Sequence, residues 1–62
     1  MECIKYEGTN GYTGVLTQGN GKRELVVLDR HLKEVLHTAS PAGDTMEWLK
    51  EVVDGMPEVM KL

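Results

Sequence analysis

The stretch Gly14-Val15-Leu16-Thr17-Gln18-Gly19-Asn20-Gly21-Lys22-Arg23-Glu24-Leu25-Val26-Val27-Leu28 decides the fold. Asn20-Gly21 is the preferred pair for a two-residue type I′ hairpin turn, because both central residues must take positive φ. The flanking runs are short and rich in Val and Leu, and they end at polar residues or glycine, as paired strands do. They form strand two, near 12–18, and strand three, near 23–29. Working outward, Asn10-Gly11 predicts a second turn of the same kind and puts strand one near 2–7.

Residues 30–39 admit two readings. Leu28, Leu32, Val35, Leu36 and Ala39 recur at helical spacing. Against a helix, Leu25-Val26-Val27-Leu28 is an apolar, partly β-branched strand run. Asp29-Arg30-His31-Leu32-Lys33 then reads as a turn, with Asp29 accepting local hydrogen bonds and His31 tolerating the left-handed region. The hairpin is favoured, with strand four near 34–39.

Ser40-Pro41-Ala42-Gly43 ends that strand. Asp44 is expected as the N-cap of a helix, and Glu47, three residues on, completes a capping box. The helix should run from Thr45 to Asp54, with Gly55 at C′ and Pro57 confirming the stop; residues 57–62 add a last turn. At about 100° per residue, Met46, Trp48, Leu49, Val52, Val53 and Met56 share one arc of roughly 160°. Asp44, Glu47, Glu51 and Asp54 lie opposite. The expected fold class is α+β: an antiparallel β-meander of three to four strands with one C-terminal amphipathic helix packed on one face (ββββα), residues 1–62 forming a single small domain.

Turn length sets register, and register sets which side chains share a face. With two-residue loops at both Asn-Gly pairs, Tyr6 opposes Val15, Val15 opposes Val26 and Leu16 opposes Leu25. One face then holds Ile4, Tyr6, Val15, Val26, Leu28 and Leu36. The other holds Cys3, Leu16, Leu25, Val27 and Val35, diluted by Lys5 and Gly14. A single helix covers one of these faces, and the first is the richer. Leu16, Leu25, Val27 and Val35 are therefore expected to lie uncovered, a patch that monomers seldom leave in water.

Composition narrows the function classes. A chain of 62 residues buries only about 60% of its unfolded surface, so it gains from a staple or a partner. Cys3 is the single cysteine, which rules out an internal disulfide and a cysteine-based zinc site. The lone thiol and an N-terminus without a basic start or long apolar run suggest a reducing, cytoplasmic setting, and no stretch approaches a membrane span. The net charge is −3. Residues 1–43 carry five acids and five bases, whereas residues 44–62 carry five acids and two bases. The excess thus sits in the C-terminal segment and argues against nucleic acid as a partner.

None of the candidate motifs converges on chemistry. The run Gly14 to Asn20 has spaced glycines but Asn20 where a phosphate-loop lysine must stand, with Lys22 two residues late and Arg23 in place of Ser or Thr. His31, Glu34 and His37, at spacings of three and six, do not gather on one helix face. Cys3 and His37 sit on opposite edges of a meander and lack an orienting group. No cofactor, metal or catalytic residue is expected, and the chain is not expected to be an enzyme.

Binding surfaces remain. Leu16, Leu25, Val27 and Val35 are candidates for self-association. Trp48, at the margin of the helix arc, suits a hot spot, and Glu47, Glu51 and Asp54 form an acidic stripe that could meet a basic patch. The leading expectation is a small non-catalytic protein-interaction module, a homodimer that regulates or inhibits a larger protein, in the style of a phage or mobile-element accessory protein. The alternative is a nucleic-acid-binding regulator using Lys22, Arg23, Arg30 and Lys33 at the hairpin tips.

Overall fold

A computed structural model describes residues 2–61. Four strands, β1 (Glu2–Glu7), β2 (Thr13–Gly19), β3 (Lys22–Leu28) and β4 (Glu34–Ala39), form one antiparallel sheet in the order β1-β2-β3-β4. Helix α1 (Met46–Asp54) follows, then a 3₁₀ turn over Glu58–Lys61. This is the ββββα meander with its C-terminal helix, and residues 34–39 are a strand. Leu62 of the expected last turn lies outside the described residues.

The Asn20-Gly21 turn has φ of 55° and 74°, the positive pair that type I′ demands. It sets Val15 opposite Val26 and Leu16 opposite Leu25, as expected. The β1–β2 connection differs. Gly8 N–H donates to the Tyr12 carbonyl at 2.7 Å, and the loop is Thr9-Asn10-Gly11, with Gly11 at φ 91°. That is a three-residue hairpin whose last position is left-handed. The extra residue shifts β1 by one: Ile4 opposes Leu16, Tyr6 opposes Gly14 and Lys5 opposes Val15.

A one-residue slip turns every side chain of a strand to the other face. Ile4 and Tyr6 therefore join Leu16, Leu25 and Val27, and α1 covers this face. Leu16 and Leu25 are 2% exposed, Val27, Leu49 and Val53 are 0%, and Met56 is 3%. Each such side chain contributes about 1.5–3 kcal/mol of burial, so the helix side is where folding is stabilised. The expected face assignment is overturned: the surface thought to be open is the core. A bulge where Val27 faces Leu36 and Leu28 faces Glu34 leaves Val35 as the extra residue, and both Val35 and Leu36 pack against the core.

Glycine lets the layers touch. A Cβ at Gly14 would come within 2.5 Å of Val53 Cγ2, and one at Gly43 would collide with the Trp48 indole. The helix start also differs from expectation. Thr45, in extended backbone (φ −110°, ψ 161°), is the N-cap, and its Oγ1 accepts from Trp48 N–H at 3.1 Å. Asp44 lies one residue too early and instead faces Arg23 at 3.8 Å. Gly55 is the C-cap, at φ −86°, one position before the C′ place expected of it.

Candidate functional site

The sheet has one face without a helix. Its rows follow from the register: Cys3, Thr17, Glu24 and Ala39; then Lys5, Val15, Val26 and His37; then Glu7, Thr13, Leu28 and Glu34. Val15, Val26 and Leu28 are half-buried and form an apolar centre on the two inner strands. Exposed charged groups ring it. Lys5 Nζ lies 3.3 Å from Glu7 Oε1 on the β1 side. On the β4 side His37 Nε2 lies 3.1 Å from Glu24 Oε2, and His37 Nδ1 lies 3.8 Å from Glu34 Oε1. The face is therefore asymmetric, with Lys5 on β1, Lys22 at the β2–β3 turn end of β3, and two carboxylates gathered around His37 near β4.

The residues singled out from the sequence fall into three groups. Leu16, Leu25 and Val27 are enclosed by the chain itself and cannot line an open surface, and Val35 is half-buried in the bulge. Trp48 is half-buried over Gly43 at the start of α1. Glu47, Glu51 and Asp54 are exposed and, with Lys50 and Gly55, line a shallow trough on the outer side of α1. Asp54 has a structural task as well: its Oδ1 accepts from the Tyr6 hydroxyl at 2.9 Å and ties α1 to β1. That hydrogen bond, aided by partial desolvation and the Asp54 charge, raises the Tyr6 pKa above the usual tyrosine value.

The basic tips stand apart. Lys22 and Arg23 flank the β2–β3 turn, while Arg30 and Lys33 belong to the β3–β4 turn at the other end of the sheet. Arg23 faces Asp44, and the Arg30 guanidinium lies over Gly11. Cys3 and His37 are on the two edge strands, at opposite edges of the sheet. Among the described residues no group of three or more His, Cys, Asp or Glu side chains is arranged to hold a metal ion, and no helix is long and apolar enough to cross a membrane.

Sequence reasoning missed Val15, Val26 and Leu28 as the open centre. The signal was the tripeptide Thr9-Asn10-Gly11, which suits a three-residue hairpin with glycine in its left-handed third position as well as it suits a two-residue turn. The sequence matches no protein-family model, and neither curated proteins nor solved structures show a match to it.

Proposed function

We propose that this chain is a small, non-catalytic protein-interaction module that self-associates through the open face of its sheet and regulates or inhibits a larger protein. The observation that carries the reading is the apolar centre Val15, Val26 and Leu28, left without a covering element by the chain itself. Charge supports a second copy as its occupant. A two-fold axis parallel to the strands lays β1 of one copy over β4 of the other. Lys5 then lies over His37 with the carboxylates of Glu24 and Glu34 beside it, twice by symmetry, while Glu7 lies over Glu34.

Size limits the strength of this contact. Strands of six or seven residues rise about 3.4 Å per residue and lie about 4.8 Å apart, so the face offers roughly 400 Å² per copy. A standard interface uses about 800 Å² per partner. The dimer is thus weak and concentration-dependent, which suits a module that exchanges itself for another protein.

Sedimentation equilibrium from micromolar to millimolar protein tests the reading. Wild type should move from monomer toward dimer, and Val26→Lys, which puts a charge at the centre of the face, should remain monomeric with its circular dichroism unchanged. A wild-type protein monomeric throughout, or a folded Val26→Lys protein that dimerises equally, would remove the open face as the interface.

A further inference from the structure

The two hairpins at one end of the sheet have the same build. In the first, Gly8 N–H donates to the Tyr12 carbonyl at 2.7 Å and Gly11 N–H to the Gly8 carbonyl at 3.4 Å. In the second, Asp29 N–H donates to the Lys33 carbonyl and Leu32 N–H to the Asp29 carbonyl, both at 2.9 Å. Gly11 and Leu32 therefore occupy equivalent positions, with φ of 91° and 61°. The left-handed region is open to glycine and closed by Cβ sterics to most other residues. A leucine here opposes the backbone, and its side chain does not compensate by burial, since Leu32 is 75% exposed.

The rest of the loop holds Leu32 out in a defined pose. Asp29 Oδ1 accepts from His31 N–H at 2.8 Å and from Lys33 N–H at 3.0 Å. The Arg30 guanidinium braces the loop against Gly11. Arg30, His31 and Lys33 are all exposed around Leu32. An exposed, conformationally disfavoured leucine flanked by Arg30 and Lys33 is an outlier of the kind that marks a contact site.

We infer that the Asp29–Lys33 tip is a second recognition surface, in which Leu32 enters an apolar seam on an acidic partner protein while Arg30 and Lys33 meet carboxylates along its edges. Charge selects this occupant. Arg30 and Lys33 outweigh Asp29, so the tip carries a net charge of +1 in a chain of net charge −3. An anionic membrane would attract the tip but repel the remainder, and one leucine is too little apolar surface to hold a protein on a bilayer. A second copy docking its tip on the acidic trough of α1 would be a heterologous contact that propagates into chains. This surface lies at the end of the sheet, beyond the Leu28–Glu34 row of the open face, and its test is independent of the dimer.

The test uses the ¹⁵N-labelled full chain titrated with a synthetic helical Leu/Glu amphipathic peptide. A Leu/Lys peptide and phosphatidylserine vesicles serve as the other arms. Saturable amide shifts centred on Arg30–Lys33 with the Leu/Glu peptide alone are expected, and Leu32→Asn should weaken that binding at least tenfold. Asn tolerates the left-handed region better than Leu, so the same variant should shift the folding equilibrium toward the native state by about fivefold. The inference is overturned by equal response to either peptide, by binding to vesicles instead, or by no saturable shift at the tip. Peptide-free chain growth that Leu32→Asn abolishes would assign the tip to a second copy and overturn it too. Leu32→Asn that neither weakens binding nor raises stability would remove both premises.

Discussion

Adding one carbon at Gly14 measures how closely α1 sits on the sheet. A Cβ there would stand 2.5 Å from Val53 Cγ2 and 2.7 Å from Leu49 Cδ1. Carbon atoms rest at about 3.5–4.0 Å, so the new methyl overlaps both by roughly 1 Å. Leu49 and Val53 are each 0% exposed and have no open side to turn toward. The helix must lift from β2. Two effects oppose one another. Overpacking costs about 1–3 kcal/mol. Replacing glycine stiffens the unfolded chain and contributes about 0.4–1 kcal/mol in return. Gly14 is not in the left-handed region, so no backbone penalty is added. The steric effect wins, and Gly14→Ala should destabilise the fold by about 1–2 kcal/mol.

For a domain of this length each kcal/mol lowers Tm by about 4–8 °C, so Tm should fall by roughly 5–15 °C. Urea and thermal unfolding of wild type, Gly14→Ala, Val53→Ala and the double variant provide the assay. Val53→Ala removes the methyl that Gly14→Ala strikes, so the double variant should lose less than the sum of the two, with a coupling of about 0.5–3 kcal/mol. A Gly14→Ala protein as stable as wild type, or strict additivity in the double variant, would refute the close seating of α1 on β2.

Two further outcomes follow from the loops. Asn10 Nδ2 donates to the Val53 carbonyl at 2.9 Å and the Met56 carbonyl at 3.3 Å, while its Oδ1 accepts from Tyr12 N–H at 3.2 Å. Asn10→Asp keeps the acceptor but turns a carboxylate toward two carbonyls, and should cost about 1–3 kcal/mol in urea unfolding at pH 7; an unchanged midpoint contradicts this. The Lys33 N–H holds the Asp29 carboxyl below the usual aspartate pKa, against some desolvation and with help from the His31 N–H and the charges of both residues. A lowered folded pKa contributes stability that is fully present above the unfolded value, near 3.9, and is lost as pH falls through the lower folded value. Urea midpoints between pH 5 and about 2 should therefore drop less for Asp29→Asn than for wild type; identical slopes would show that the loop does not hold the carboxylate.

Much of the fold was legible because it is encoded locally. Asn20-Gly21 carries its own turn geometry, and the β2–β3 pairing it implies is the one observed. The strand at 34–39 was legible from Asp29, whose side chain organises the turn without help from elsewhere. The candidate surface was not legible. Its assignment hung on one residue of loop length, and the error moved Ile4 and Tyr6 to the wrong side. With them went the choice of which face α1 covers, so the residues expected to bind, Leu16, Leu25 and Val27, proved to be the core.

By itself the sequence determined three strands and favoured a fourth, and it determined one amphipathic helix, the turn at Asn20-Gly21 and the partition of β2 and β3 into two apolar sets. Propensity, alternation and turn chemistry act over a few residues, and each of these features needs no more. Only the tertiary structure decided which set is enclosed. The Asn10 amide finds its acceptors on Val53 and Met56, 43 and 46 residues away, and α1 settles on Gly14, where the sheet offers no side chain to hold it off. Those partners exist only once the helix has docked, so no local pattern around Thr9-Asn10-Gly11 could distinguish a three-residue loop from a two-residue one.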